Sequence, residues 1–383
     1  MYSMRSMYEI PSLHDLPVIV RSALNVPLKD GKVANTYRLQ KALPTIEYLR
    51  KKGARVVLIG HLGDKGTETL RPVFETLKEM VPGLTFCEET TGTSARASVR
   101  DLPAGGIVML ENLRRNSGET KNTREFTEKL AELGDIFVQD SFDVCHRRHA
   151  SVVGLPELLA PYAGFQVMKE VEELSKALRP KSPSLAILGG AKFTTKEPVV
   201  KRLLQVYDHV FIGGALANDF MKERGYPVGT SLVSKDADTD DIRELLKNPK
   251  LLLPIDEVVA PFGSSLREAD TVSLSNVPTN EAILDDGPKT VELLARLAQK
   301  ASTILWNGPL GNYEHGFVEG TEGLAKAIAK SKGHTILGGG DTIAAVEKLN
   351  ISDQFSFIST GGGAMLDFLA KGTLPGLAVL NRS

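Results

Sequence analysis

Five runs in the second half of the chain end in glycine-bearing turns: Gly189-Gly190, Gly213-Gly214, Gly308, Gly338-Gly339-Gly340 and Gly361-Gly362-Gly363. Glycine lets a backbone approach a phosphate closely, and a helix that follows offers unpaired N–H groups at its positive end. One such turn is ordinary tight-turn chemistry; several on consecutive strands point to a nucleotide or polyphosphate site. Lys192 and Lys196 follow Gly189-Gly190 one helical turn apart, on one helix face. Asp341, directly after the triple glycine, suits both an N-cap and a Mg²⁺ ligand beside phosphates. No GxxxxGK[ST] motif is present, and no GxGxxG follows a first strand. The lysines and a metal would have to hold the polyphosphate.

A second stretch, "VRSALNVP" (20–27), has the frame of an anion loop at a strand end. Ala23 and Leu24 nevertheless occupy its middle, where recognition of a hydroxylated anion calls for a polar group. Cys145, His146 and His149 have the types of a metal site. No GxSxG or HExxH signature is present.

The elements that must position these residues follow from periodicity. Strand-like runs at 18–21, 55–60, 107–110 and 136–140 alternate with helical patterns, among them "TYRLQKALPTIEYLRKKG" and "NTREFTEKLAELG". The final glycines of those helices read as C-caps. The rhythm resumes with strands at 185–190, 209–214, 251–256, 303–308, 335–340 and 355–363. Alternation of this kind predicts an α/β fold with parallel sheets flanked by helices. A length of 383 residues predicts two lobes. The amphipathic stretch 164–180, ending in a Pro/Ser-rich break, reads as a connecting helix. The expected division is 1–163, connector 164–180, and 181–367.

Hydrophobic residues make up 42% and charged residues 24%, with a net charge of −1. That balance gives no bulk attraction to nucleic acid or to an anionic membrane. No run has the length and apolarity of a signal sequence or a membrane span. Cys87 and Cys145 form no CxxC pair, and a cytoplasmic location is expected.

The motifs "VR…NVPLKDGKV", "HLG", "LENLR", "CHRRHAS", "AILGGAK…K", "LLLPIDEVVA", "DDGPKT", "WNGPLGNYE", "GGGDT" and "STGGGA" occur in family order, and through them the chain resembles the phosphoglycerate kinase family. The resemblance implies two Rossmann-like lobes across a cleft, hinge closure, and direct phosphoryl transfer between ATP and 3-phosphoglycerate. It also implies that residues 368–383 return to pack on the first lobe, and that the protein is monomeric. For the nucleotide it implies Gly190, Lys196, Gly213, Gly214, Asn307, Pro309, Glu314, Gly338, Gly339, Gly340, Asp341 and Thr342, with Asp341 holding Mg²⁺. Lys192 would neutralise the transferring group, and the Gly361–Gly363 backbone would support it. For the acid it implies Arg21, Asn25, Arg38, His61, Arg114, His146, Arg147 and His149. Lys192, Arg38, Gly340 and Gly363 are the expected catalytic groups.

Four positions depart from the family pattern: Ala23 and Thr195 replace Asp, Asp64 replaces Arg, and Asp143 replaces Gly. Loss of a hydrogen bond to the substrate's 2-hydroxyl at Ala23 costs about 1.5–3 kcal/mol. Repulsion of a phosphate by Asp64 adds about 2 kcal/mol at ~8 Å and an effective dielectric of ~20. Arg115 and Arg148 stand beside two clamp arginines, placed either to compensate or simply to face solvent. Three functions fit: a phosphoglycerate kinase with impaired or rebuilt acid recognition, an acyl-phosphate kinase for another carboxylic acid, and a nucleotide-binding pseudoenzyme. Persistence of the nucleotide motifs favours the first.

Overall fold

The computed structural model describes residues 4–191, 193–235, 238–265 and 268–381. The chain forms two compact units. One comprises residues through Glu172 together with the tail from Thr373 onward; the other runs from Glu173 to Gly372. The division falls inside the helix Phe165–Ala177, within the stretch read as a connector.

The first unit holds a six-stranded sheet in the order Leu84–Cys87, Ile107–Leu110, Arg55–Ile59, Pro17–Arg21, Ile136–Gln139 and Ala160–Ala163, every neighbour parallel. The run "PVIVR" shows why both faces are covered. Val18 and Val20 join one core with Val56, Leu58 and Met109, while Ile19 joins another with Val57, Val108 and Phe137. Successive side chains of a strand point to opposite faces, so a near-continuous apolar run is the signature of a strand between two helix layers. The chain tail closes this unit. Gly376 N–H donates to Cys145 O at 2.8 Å, Arg5 N–H donates to Leu380 O at 3.0 Å, and Leu377 is fully buried.

The second unit holds a parallel sheet in the order Leu251–Leu252, His209–Ile212, Ser184–Leu188, Thr303–Asn307, His334–Gly338 and Phe357–Ile358. A separate antiparallel sheet joins Asp270–Ser273, Asp256–Ala260 and Ala282–Asp286. Periodicity did not reveal this sheet. The run "LLLPID", expected as one strand, splits at Pro254: Leu251–Leu252 pairs at the edge of the parallel sheet, and Asp256 opens a strand of the antiparallel one. The strands Leu84–Cys87 and Ala160–Ala163 were also not anticipated, being short and half polar or interrupted by Pro161.

The expected glycine C-caps differ from each other. Gly53 adopts a left-handed φ of +82° after the helix Tyr37–Lys51. Gly134 does not have positive φ; a Cβ there would come within 2.6 Å of Ile19, so close packing against the central strand is what requires glycine. Among the described residues no helix is long and apolar enough to cross a membrane.

The tail's contribution can be measured. Leu377→Ala removes a fully buried side chain and should lower unfolding stability by about 2–5 kcal/mol in guanidinium denaturation. A loss below about 0.5 kcal/mol would mean the tail is not part of the folded core.

Candidate active site

In the first unit the anion-binding candidates gather at the carboxyl ends of the central strands. Arg21 closes the strand Pro17–Arg21 and is only 1% exposed. Each of its guanidinium nitrogens is engaged: Nε donates to Ser151 Oγ at 3.0 Å, Nη1 to Ser22 O at 2.8 Å, and Nη2 faces His61 Nδ1 at 2.9 Å. A buried cation needs a counter-charge. Buried Glu119 supplies it through Ser151, whose Oγ donates to Glu119 Oε1 at 2.6 Å and whose N–H donates to Oε2 at 3.0 Å. Burial lowers the Arg21 pKa, and the nearby negative charges of Glu119 and Asp143 oppose the shift.

Arginine can only donate, so the Arg21–His61 contact fixes a tautomer. His61 Nδ1 must accept, which leaves its proton on Nε2. Burial, and then the positive charge of Arg21, hold His61 well below its ordinary pKa, so it is neutral. His149 behaves alike: burial first, then Arg114, Arg21, Arg147 and His146, push it down to about 4. Its Nδ1 is buried without a hydrogen-bond partner among the described residues, 3.8 Å from Glu119 Oε1. These mutual influences place Arg21, Arg38, His61, Arg114, His146, Arg147 and His149 in one basic patch. Arg38 Nη1 donates to Asn25 O, and Asn25 Oδ1 accepts from Gly63 N–H at 3.0 Å. Arg147 is exposed at the rim. Among the described residues no His, Cys, Asp and Glu cluster could hold a metal, so Cys145, His146 and His149 do not form one.

In the second unit the glycine turns line one edge of the parallel sheet. Gly190 N–H donates to Pro309 O at 3.1 Å, Gly213 N–H to Leu188 O at 2.9 Å, and Leu216 N–H to Gly190 O at 2.7 Å. Gly308 has φ +97°, and a Cβ there would come within 2.4 Å of Gly189 O. Only glycine allows the two turns to pass so closely. Lys196, in the first turn of the helix Phe193–Val206, donates its ammonium to Gly189 O. Burial pulls its pKa down to about 8, while Asp341 pulls upward, so it remains a cation at neutral pH.

Thr342 Oγ1 accepts from Gly308 N–H at 3.0 Å, tying the triple-glycine turn to Gly308. Asn307, 3% exposed, pairs in register with Gly338 and donates to Met365 Sδ at 3.6 Å. Gly340 and Gly363 open the helices Gly340–Lys348 and Gly363–Lys371, each leaving an N-terminal edge of N–H groups. Asp341, half-buried, has its pKa raised by burial and by the exposed Glu314, with Lys196 acting against both. Its carboxyl makes no hydrogen bond among the described residues. One free carboxylate beside the glycine turns is of the kind that could hold Mg²⁺ carried by a nucleotide, which takes one or two carboxylates and otherwise phosphate and water. Lys192 lies outside the described residues.

A family model described as phosphoglycerate kinase matches residues 9–372. The chain belongs to the phosphoglycerate kinase family. A phosphoglycerate kinase of Clostridium beijerinckii is 43% identical over 375 residues, 95% of each chain. One from Staphylococcus haemolyticus is 41% identical over 380 residues, covering 95% of this chain and 96% of the relative. Among solved structures, phosphoglycerate kinase from Coxiella burnetii superposes with TM-score 0.83 at 37% identity, covering 98% of both chains. The Pyrococcus horikoshii enzyme gives 0.88 at 32% identity and the same coverage. The two-lobe α/β architecture is that of these structures.

The departures from the phosphoglycerate kinase pattern can now be placed. Ala23 is buried at 3% exposure and Leu24 is fully buried in the core. Asp64 does not stand free: Arg114 Nη1 donates to its Oδ1 at 2.7 Å and to Gly63 O at 2.7 Å. Arg115 is committed elsewhere, donating to Glu111 Oε2 at 2.9 Å, and Arg148 is exposed. Asp143, buried, accepts from Ser141 Oγ and adds negative charge near Arg21. Thr195 is exposed on the first turn of its helix. Sequence reasoning did not find Glu119 or Ser151. No motif marks Glu119 in "SGETK", and its role depends on a partner 32 residues away.

NMR titration of His149 should give a midpoint near 4. Saturating phosphate or a phosphorylated acid should raise it, because a bound anion offsets the surrounding arginines and favours imidazolium. An unchanged midpoint with ligand bound would show that the anion does not sit against His149.

Proposed function

We propose that the chain catalyses reversible transfer of a phosphoryl group between ATP and the carboxylate of 3-phosphoglycerate, giving ADP and 1,3-bisphosphoglycerate. The observation that carries this reading is the Arg21-centred basic patch in one unit together with a Lys196-bearing glycine edge in the other. Family membership over nearly the whole length supports it. Two buried, unpaired thiols and the absence of a membrane-spanning helix among the described residues fit a cytoplasmic enzyme, and we take it to act as a monomer.

Phosphoryl transfer asks the protein for alignment and charge stabilisation rather than for a nucleophile. In the first unit Arg38 would orient the acid's carboxylate, held by its bond to the Asn25 carbonyl. Arg114 and Arg147 would hold the distal phosphate, and His61 would donate from Nε2. In the second unit Lys196 and the N–H groups at Gly340 and Gly363 would hold the nucleotide phosphates, with Lys192 balancing charge on the group in transit. Asp341 would hold Mg²⁺, which supplies charge neutralisation between the phosphates. Glu314 and Asn307 would face the nucleoside, with Gly213, Gly214 and Pro309 as pocket walls.

The acid half is a weakened version of this site. Buried Ala23 offers nothing to a 2-hydroxyl. Asp64 occupies a bond that a substrate phosphate would need from Arg114, but it is 93% exposed. The Asp64 carboxylate is solvated but the Arg114 side chain is only 8% exposed, so the pair is half-buried and a phosphate dianion has to compete with it for the guanidinium. The bare repulsion of about 2 kcal/mol is therefore partly absorbed by Arg114. Ala23 also favours a second reading, in which the acceptor is a phosphorylated acid without the 2-hydroxyl.

A coupled assay should detect ATP-dependent phosphorylation of 3-phosphoglycerate, abolished by Lys192→Ala. Binding of Mg-ATP without turnover on 3-phosphoglycerate would overturn the main reading; turnover only on a dehydroxylated analogue would establish the second. Restoring the family residues together, Ala23→Asp with Asp64→Arg, should lower the KM for 3-phosphoglycerate at least about ten-fold. An unchanged KM would show that acid recognition runs through other groups.

A further inference from the structure

The antiparallel strands Asp256–Ala260 and Ala282–Asp286 carry four acidic side chains into the interior of the second unit: Asp256, Glu257, Asp285 and Asp286, each 3% exposed or less. Three of them serve helix N-termini. Asp256 accepts from the N–H groups of Lys289 and Thr290, at 2.9 and 2.8 Å, heading Pro288–Lys300. Asp285 Oδ2 accepts from Gly320 N–H at 2.9 Å, heading Glu319–Ala329. Asp286 Oδ1 accepts from Gly214 N–H at 3.1 Å, heading Ala215–Glu223. Glu257 differs. It is fully buried, and neither of its carboxyl oxygens has a partner among the described residues. It pairs in register with Asp286, so both side chains leave the sheet on one face.

We infer that Asp286 is a positioning residue of the nucleotide site, shaping the Gly213–Gly214 turn from beneath. The inference rests on the nucleotide reading of the second unit given above. The contact is intimate: a Cβ added to Gly213 would come within 2.4 Å of Asp286 Oδ2. The turn it supports is knit to the rest of the glycine edge, since Leu216 N–H donates to Gly190 O, and a Cβ on Gly214 would meet Pro309 O at 3.0 Å. Without the Asp286 acceptor the buried Gly214 N–H would be orphaned, and the turn would have to move to satisfy it.

Two facing buried carboxylates cannot both be charged cheaply, so the pair holds one proton. Asp286 has an N–H donor and a helix N-terminus to stabilise its anion, whereas Glu257 has neither. Burial, then Asp286, Asp285 and Asp256, push the Glu257 pKa well up, all of those neighbouring charges being of one sign. Burial and the neighbouring carboxylates push the Asp286 pKa well up too, with the Gly214 N–H opposing the shift only there, so of the two Glu257 is the better place for the proton.

The test uses the full-length protein, with amide hydrogen exchange of residues 213–216, calorimetry with Mg-ADP, and steady-state kinetics. Asp286→Ala should speed exchange in that turn at least about ten-fold and weaken Mg-ADP binding about ten-fold, with KM for the acid unchanged. Asp286→Asn, whose amide oxygen can still accept the Gly214 N–H, should restore both to within about three-fold of wild type. Wild-type-like exchange and Mg-ADP affinity in Asp286→Ala would overturn the inference, as would an Asn variant as weak as the Ala variant. Should neither variant fold, the wild-type Gly214 amide decides: exchange as fast as an open loop overturns the assignment, and strong protection supports it. Wild-type protein that binds no Mg-ADP would overturn the nucleotide reading itself, and this inference with it.

Discussion

A full positive charge on Arg21 sits at the end of the first unit's central strand with almost no access to water. The candidate acid site depends on how that charge is held. An unpaired buried guanidinium would be costly by several kcal/mol. Here each of its three nitrogens makes a hydrogen bond, one of them to a histidine that must stay neutral to accept. Glu119 offsets the charge indirectly, through Ser151, rather than by direct contact. A direct carboxylate partner would compete with an incoming anion. The relay leaves the positive potential available to a ligand while still compensating it, and it fixes the His61 proton on Nε2.

The second unit solves the opposite problem. Its glycine edge presents N–H groups and a lysine to an expected polyanion, and the elements behind it are rich in buried carboxylates. Asp256, Asp285 and Asp286 each stop a helix N-terminus from being left bare, so the antiparallel sheet holds the helices around the edge. A carboxylate at a helix N-terminus is stabilised by the helix itself. Glu257 has no such partner, and its burial is understandable only if it is neutral.

Of the four positions that depart from the expected family pattern, Ala23, Asp64 and Asp143 lie in the first unit and Thr195 in the second. Ala23 removes a polar group without leaving the strand-end loop, whose Leu24 is simply core. Asp64 takes a hydrogen bond from Arg114 without burying its own charge. Neither change touches the hydrogen bonds of Arg21, although Asp143 adds a negative charge near it, and Arg114 of the basic patch is paired with Asp64.

The chain's own pattern was enough to determine the alternating strands and helices, the parallel sheets and the glycine edge. Those features arise from local periodicity and from backbone freedom, which are written residue by residue. The run at 18–21 was legible as a strand and Gly308 as one of several strand-end glycine turns, whereas the close pass of Gly308 by Gly189 appeared only in the fold. What the tertiary structure alone decided depends on contacts between distant residues. The antiparallel sheet was hidden because Pro254 splits an apolar run whose two parts pair with different partners. Glu119 took on its role from Ser151, and Asp64 was matched with Arg114 rather than with either neighbouring arginine. Asp286 acquired its part from a glycine 72 residues away. A charge is legible in a sequence, but its partner is not, because Coulomb and hydrogen-bond energies depend on distance in space and on the water that folding removes.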